Sequence, residues 1–191
     1  VEHLGRVKIM KTTENMSKER DDKVLDWERA FAAYGKREAK FNLESAAKVL
    51  SNSFIEHHAN NRFPEAAATY WISGDITDHL PAPHRGDFTI RYLERVETSR
   101  HNDVFSALGR GTFQREDIEA AMKHPEMKRL KAAAYERHNH AIFYLRKLDD
   151  LDQSIQPRTI DTSDITDEQI DAAMAIYEPS LVRNKSEIKV K

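Results

Sequence analysis

The stretch Tyr135-Glu136-Arg137-His138-Asn139-His140 places two imidazoles, a carboxylate and a guanidinium within six residues, and such groups could bind a metal or transfer protons. Residues two apart on an α-helix point about 200° apart, so His138 and His140 cannot serve one site from the same helix. His138 lies on an apolar stripe, which predicts a hydrogen-bonded core histidine. Glu136 and His140 form a carboxylate–imidazole pair one turn apart. The stretch therefore predicts two separate half-sites.

A second carboxylate–imidazole pair, Glu97 and His101, has the same spacing of four residues. If the two helices faced each other, Glu97, His101, Glu136 and His140 could ligate a divalent metal. Pairs at this spacing are also common on exposed helices, where they add a few tenths of a kcal/mol. The chain has neither the Glu-x-x-His spacing of di-iron bundles nor His-Glu-x-x-His. We therefore expect no cofactor, with the four-residue metal site as an alternative.

Arg95 and His101 are separated by five residues, and the early segment "KFNLESAAKVLSNSF" at 40–54 predicts an amphipathic helix. In these features the chain resembles compact helical ribonucleases of the HEPN type. In that family an Arg and a His at about this spacing are assembled across a dimer, where they activate the 2′-hydroxyl and stabilise the phosphate. The resemblance implies a metal-independent ribonuclease in which Arg95 and His101 are the catalytic residues.

Basic side chains on the predicted helices could line a nucleic-acid groove. The candidates are Arg91, Arg95, Arg100, Lys128 and Arg129. The acidic residues Glu94, Glu97 and Glu126 lie between them and dilute the positive field, which favours a solvated helix face. A nucleic-acid-binding accessory protein is therefore an alternative and not the leading interpretation.

The composition excludes several classes of site. The chain has 191 residues and no cysteine, which excludes disulfides, thiolate metal sites and a cysteine nucleophile. Its formal net charge of −2 gives no global attraction to nucleic acid or membrane. The N-terminal sequence is charged and has no apolar signal-peptide core, and the longest apolar runs span a few residues. We expect no membrane partner, and a location in the cytoplasm or inside a virion or organelle.

The first half of the chain predicts short helices around one loop. A stripe from Val24 to Tyr34 indicates a helix that Gly35 weakens, and Asn42 is a suitable N-cap for the next one. Pro64 suits the first turn of a short helix that Gly74 would close. Two prolines and two glycines then predict an irregular loop over 74–87. The length of the periodic segment after it favours a helix.

The second half predicts longer helices. Thr112 can cap a helix through Met122, and Pro125 begins a helix to about residue 155 with the longest apolar stripe in the chain. Thr166 and Gln169 form a capping box that starts a helix through Tyr177. This last helix contains "IDAAM" at 170–174, which resembles "IEAAM" at 118–122 because short helices with acidic first turns converge on similar residues.

The pattern as a whole predicts an all-α fold, a helical bundle of about five to seven helices with flexible polar termini. We expect a flexible arm over 1–16, a single helical domain over 17–180 and a basic tail over 181–191. Packing accounts for most apolar residues, and no catalytic set coheres in the sequence. We therefore predict a non-enzymatic interaction or assembly protein that works through helix surfaces and terminal arms. Its partner would be another protein or a second copy of the chain.

Overall fold

The fold is all-α, as the computed structural model shows for residues 25–154 and 160–181. The helices are α1 (Trp27–Ala59), α2 (Phe63–His79), α3 (Ala82–Val96), α4 (Thr98–Gly109), α5 (Arg115–Lys123), α6 (Pro125–Ser154) and α7 (Asp167–Tyr177). These ranges contain no strand, and the predicted helical bundle is confirmed. The arm over 1–16 and the tail after Leu181 lie outside the described residues, so their predicted flexibility stays a prediction.

Residue contacts divide the chain into two compact units. Unit 2 spans Glu38–Arg146, and unit 1 contains the residues up to Arg37 and from Lys147 onward. Helices α1 and α6 contribute residues to both units. The single domain over 17–180 stays a prediction. None of the helices in the described ranges combines the length and the apolarity that crossing a bilayer requires.

Helix α1 is one continuous helix of 33 residues, so the predicted break near Gly35 and the N-cap at Asn42 are wrong. Asn42 tolerates the helix interior because its side-chain amide donates to the Glu38 carbonyl, one turn earlier, at 2.8 Å. At Gly35, an added Cβ would lie 3.3 Å from the Leu148 side chain. The glycine therefore permits a close approach inside unit 1 and does not end the helix.

The predicted irregular loop over 74–87 is also wrong. Helix α2 runs through Gly74 to His79, the chain turns at Leu80 and Pro81, and α3 begins at Ala82. Pro83 is compatible with the first turn of α3 because the amides of that turn have no intrahelical acceptor. Arg85 fixes the turn by donating from Nε to the Leu80 carbonyl at 2.8 Å. Leu80 itself is buried.

The segment after Phe88 is helical, as predicted, but Glu97 divides it into α3 and α4. Glu97 has a φ of 68°, a conformation that non-glycine residues rarely adopt. Helix α5 begins after Gln114 and not after the predicted cap Thr112. Its first turn is closed by Asp117, whose carboxylate accepts from the Gln114 amide at 2.7 Å.

The core of unit 2 forms where α2 contacts α3, α4 and α5. Its largest fully buried side chains include Phe54, Ile72, Phe88, Tyr92, Ile118 and Met127. Helix α6 has the predicted bounds almost to the residue. The residues of its predicted stripe that are buried are Met127, Ala134, His138, Ala141 and Leu145. The pattern of the stripe therefore correctly predicted which face of α6 is buried.

In unit 1, α7 is joined to α1 by charged side chains. Arg37 contacts Asp167 at 3.1 Å and Asp171 at 2.6 Å. The predicted capping box is confirmed: Thr166 Oγ1 accepts from the Gln169 amide at 3.2 Å, and Gln169 Oε1 accepts from the Thr166 amide at 2.9 Å. The residues that α7 buries are Ile170, Ala173 and Met174.

Candidate functional site

Arg95 and His101, the proposed ribonuclease pair, lie on different helices. Arg95 is exposed near the end of α3, and among the described residues it makes no ion pair. His101 on α4 turns toward aromatic rings, with centroid distances of 5.0 Å to Tyr70 and 4.5 Å to Phe105. Its buried Nδ1 has no hydrogen-bond partner in the part of the chain that the structure describes, and burial lowers the pKa of the imidazole. Within one chain no contact joins the two residues, so an assembly across a dimer stays a prediction.

The four proposed metal ligands do not form a common site. Glu97 contacts Arg100 at 3.3 Å, whereas His101 packs against aromatic rings. Glu136 and His140 are both exposed on α6. In the part of the chain that the structure describes, no group of three or more His, Cys, Asp and Glu side chains could hold a metal ion.

The five basic residues proposed for nucleic acid lie on three helices: Arg91 and Arg95 on α3, Arg100 on α4, and Lys128 and Arg129 on α6. Arg91 forms an ion pair with Glu44, and Arg100 forms one with Glu97. Two of the five charges are therefore neutralised by neighbouring carboxylates. Lys128 and Arg129 are exposed. A nucleic-acid surface stays a prediction.

His138, from the stretch that first suggested an active site, is a buried core residue as its place on the apolar stripe predicted. Its ring lies edge-on to Tyr135 with centroids 5.4 Å apart, and Nδ1 is 3.2 Å from Asn139 Oδ1. Its buried Nε2 has no hydrogen-bond partner among the described residues. His140 is exposed on the same helix, so the two histidines belong to different environments.

The structure does assemble a polar cluster that consists of Asp75, His79, Lys131 and Tyr135, on helices α2 and α6. The Tyr135 hydroxyl donates to Asp75 Oδ2, and Lys131 Nζ lies 3.5 Å from the same oxygen. His79 Nδ1 is 2.7 Å from the Asp75 carbonyl and 3.5 Å from the Tyr135 hydroxyl. The cluster therefore joins two helices through one carboxylate.

The electrostatics of this cluster favour a charged Asp75 and a neutral Tyr135. The hydrogen bond from Tyr135 and the nearby Lys131 lower the pKa of Asp75 despite its partial burial. Burial, then the hydrogen bond to Asp75, raise the pKa of Tyr135. At neutral pH the tyrosine is therefore a hydrogen-bond donor and not a nucleophile or base. The arrangement stabilises the contact between α2 and α6.

A pocket of about 340 Å³ opens between the first turns of α2 and α6 and one face of α5. Its charged lining residues are Arg62, Glu65, Asp117, His124 and Glu126. Arg62 contacts Glu126 at 3.3 Å and Glu65 at 3.6 Å, while Asp117 accepts from the Gln114 amide. These charges are thus largely engaged with protein groups, and the pocket indicates no particular class of ligand.

Beside this pocket lies His57, which is only 2% exposed. Its Nε2 is 3.5 Å from Glu126 Oε1, and its buried Nδ1 has no hydrogen-bond partner among the described residues. Burial, and then the positive charge of Arg62, lower the pKa of His57 in spite of Glu126. A histidine held neutral in this way makes the stability of the fold sensitive to pH.

The outer face of α7 in unit 1 has an unusual composition. From Ala172 to Tyr177 the helix has no polar side chain except the Tyr177 hydroxyl. Ala172, Ala175 and Ile176 are exposed, and Ile176 is 62% exposed. Their spacing of three and four residues places them on one face of the helix. We call Ala172, Ala175 and Ile176 the α7 apolar face, and Tyr177 borders it at the end of the helix.

Further aromatic residues extend this surface at the end of α7. The Tyr177 hydroxyl donates to the Leu25 carbonyl at 3.0 Å, which places the start of α1 beside the end of α7 within unit 1. Trp27 is 40% exposed there and stacks on Phe31 at 5.3 Å. Tryptophan and tyrosine are enriched at protein interfaces because they combine apolar area with a hydrogen-bonding group.

The sequence did not predict the polar cluster around Asp75 or the α7 apolar face, for different reasons. The spacing of Asp75 and His79 was visible, but the predicted loop placed them off a helix, and nothing indicated Tyr135 as their partner. For α7 the signal was present in "AAMAIY", a run with no charged residue and only the hydroxyl of its last tyrosine as a polar group. Which of these residues would be exposed could be decided only by the packing of α7 in unit 1.

No family model, curated protein or solved structure matches the chain.

Proposed function

We propose that this chain is a non-enzymatic interaction or assembly protein that binds a protein partner through the α7 apolar face. The observation that supports the proposal is the exposure of Ile176 on a helix whose last six residues, 172–177, include no charged side chain. Large contiguous apolar patches are uncommon on monomers and mark sites of association.

Packing within unit 1 does not account for this face. Helix α7 already buries Ile170, Ala173 and Met174, and its first turns are held by Arg37. A surface helix normally carries polar residues on the side opposite its buried stripe. Apolar residues on both sides are therefore expected where a second surface covers the helix.

Ile90 on α3 provides a contrast inside the same chain. It is 56% exposed, close to the exposure of Ile176, but Asp87 and Glu94 lie one turn away on either side and are exposed. Single apolar residues on a polar surface are ordinary in soluble proteins. Complete burial of an isoleucine side chain contributes about 1.5–3 kcal/mol of free energy. The part of this free energy that belongs to the exposed surface of Ile176 can still be gained on association.

The test compares Ile176→Lys with Ile90→Lys in the full chain. Lysine is a good helix former, and at position 176 its charge suits the helix C-terminus, so both variants should keep the wild-type helical content by circular dichroism. We expect Ile176→Lys to lose the protein that co-purifies with the chain, or its self-association in sedimentation, while Ile90→Lys retains it. Equal association of the two variants would contradict the proposal.

The ribonuclease resemblance implies a different outcome that is equally measurable. If Arg95 and His101 are catalytic, the purified chain cleaves single-stranded RNA and His101→Ala abolishes the cleavage while preserving helical content. We expect no cleavage of a broad RNA panel by the wild-type chain. Cleavage that His101→Ala removes would replace the proposed function with the enzymatic one.

A further inference from the structure

We infer that His57, Arg62 and Glu126 form a pH-operated latch on the pocket between α2, α5 and α6. When His57 takes up a proton, the Glu126 carboxylate transfers from Arg62 to His57, and the released Arg62 side chain opens the rim of the pocket. The inference concerns unit 2 alone and goes beyond the proposed function, which depends on α7 in unit 1.

The Glu126 carboxylate lies between the two groups that compete for it. Its Oε1 is 3.5 Å from His57 Nε2, and its Oε2 is 3.3 Å from Arg62 Nη2. Both distances exceed the roughly 2.7–2.9 Å of a strong charge-assisted hydrogen bond, so neither contact is at its best length. While His57 is neutral, Arg62 is the only cation of the three. A proton on His57 creates a second cation beside the same carboxylate.

The difference in burial decides which cation Glu126 then serves. The His57 side chain is 2% exposed, whereas the Arg62 side chain is 45% exposed. A buried charge without an opposite charge is far less stable than a solvated one. Arg62 also retains Glu65, whose Oε1 is 3.6 Å from Arg62 Nε. Glu126 therefore pairs with the imidazolium, and Arg62 turns to Glu65 and to solvent.

The charges around His57 allow it to take up a proton in the folded chain. They are Glu56 on its own helix, Arg62 and Glu65 at the start of α2, and Glu126 on α6. His57 also lies in the last turn of α1, where the negative end of the helix favours an imidazolium. Burial and Arg62 outweigh these groups and lower the pKa of His57. The exchange should therefore occur below about pH 6.5, the ordinary pKa of histidine.

The ion pair between Arg62 and Glu126 joins two sides of the pocket, because Arg62 directly precedes α2 and Glu126 lies in the first turn of α6. The Arg62 amide donates to the His57 carbonyl at 2.8 Å, so the backbone between these two residues is held in place. The exchange therefore moves side chains only. Loss of the ion pair removes the one printed contact of Arg62 across the pocket and gives access to its apolar floor, which includes Ala121 and Met127.

Helix α5 contributes two further polar groups to the pocket, and both are engaged with backbone amides. Asp117 accepts from the Gln114 amide at 2.7 Å, and His124 Nδ1 accepts from the Glu126 amide at 3.2 Å. An imidazolium has no acceptor nitrogen, so a proton on His124 would break its contact with α6. A test of the latch must therefore separate His57 from His124.

NMR titration of the full chain from pH 7.5 to pH 5 follows the His57 imidazole, the Glu126 carboxyl group and the Arg62 Nε–H together. We expect all three signals to change with one midpoint below about pH 6.5, while circular dichroism shows unchanged helical content. In His57→Gln the Arg62 and Glu126 signals should stay constant over this range, although His124 is still present. Glu65→Gln is the matched control and should keep the coupled change.

Glu126→Gln provides a second variant that does not alter the buried histidine, since the Glu126 side chain is 43% exposed. Its Arg62 signal at pH 7.5 should already match that of the wild-type chain at pH 5. Three results would overturn the inference: an Arg62 signal that stays constant while His57 titrates, the same Arg62 change in His57→Gln, or loss of helical content before His57 titrates.

The opening of the pocket has its own measurement, because the chain has no cysteine and an introduced thiol is unique. Ala121 lines the pocket and is 9% exposed, so the reaction of Ala121→Cys with a small thiol reagent reports access. At pH 7.5, adding Glu126→Gln should raise the rate severalfold, whereas adding Glu65→Gln, which removes the same charge from the lining, should not. Equal rates in these two double variants would show that Arg62 and Glu126 do not close the pocket.

Discussion

Asp75 and His57 show how this chain places its ionisable side chains, because each meets a group far away in the sequence. Tyr135 donates to Asp75 across 60 positions, and Glu126 lies beside His57. Spacing along one helix reveals only neighbours three and four residues away. It predicted the burial of His138 correctly, since that depends on the stripe of its own helix. It could not predict contacts that depend on how helices pack.

Two histidines whose pKa is lowered by the fold should make it less stable as the pH falls. The pKa values of His57 and His101 are lowered in the folded state, so below about pH 6.5 the unfolded chain takes up protons that the folded chain resists. Each group can lower the free energy of unfolding by at most about 1.4 kcal/mol per pH unit in this range. Denaturant unfolding at pH 7.5, 6.5 and 5.5 measures the effect.

Replacing His57 by Gln should flatten this pH dependence, because the substituted side chain does not titrate. His140→Gln is the matched control, since His140 is exposed on α6. Stability that rises between pH 7 and pH 5.5 in the wild-type chain would show that His57 gains more from Glu126 than it loses by burial.

Tyr135→Phe should weaken the link between α2 and α6 by about 1 kcal/mol, the value of a partly exposed hydrogen bond to a charged group. It should also raise the pKa of Asp75, because the hydrogen bond from Tyr135 is the largest factor that lowers it. NMR titration of the carboxylates provides the measurement. Asp161 is the internal control, since its pKa is lowered by Ser163 and not by Tyr135. An unchanged Asp75 pKa in Tyr135→Phe would contradict a hydrogen bond between these two side chains.

At the scale of elements, most helices and their types followed from periodicity and capping residues. The long apolar stripe after Pro125 correctly predicted α6, and the capping box at Thr166 correctly predicted the start of α7. The longest segment that was predicted wrongly is 74–87, where glycine and proline predicted a loop. Ile76 and Leu80 within this range and Phe88 directly after it are buried, and this tertiary burial outweighs the weak intrinsic preference of two glycines.

Gly74→Ala should stabilise the protein by about 0.5–1 kcal/mol, because glycine is a poor residue for a helix interior. An added Cβ at Gly74 meets nothing within 4 Å, so no clash offsets the gain. Thermal unfolding should show a melting temperature raised by about 1–4 °C. Gly111→Ala is the opposite control: its φ of 76° makes alanine unfavourable there. Destabilisation by Gly74→Ala would restore the loop interpretation of 74–87.

At the scale of the whole molecule, the function depends on which surfaces the folded chain leaves uncovered. The sequence predicted the last helix from its capping box, and the packing of unit 1 decided that Ile176 and not Ile170 would be exposed. Since exposure is a property of packed helices, it could not be inferred from the period of α7 alone. The proposed interaction surface is therefore a result of the structure, although its residues lie in one short run.

Hydroxyl-radical footprinting of the unmodified full chain tests this central claim most directly, because it compares the reactivity of side chains in the dilute monomer and in the associated state. We predict that Ile176 and Tyr177 react in the monomer and are strongly protected on association. Ile90 should serve as the internal reference, because its similar exposure leaves it reactive in both states. If Ile176 remains as reactive as Ile90 in the associated state, the α7 apolar face is not the surface through which this chain binds.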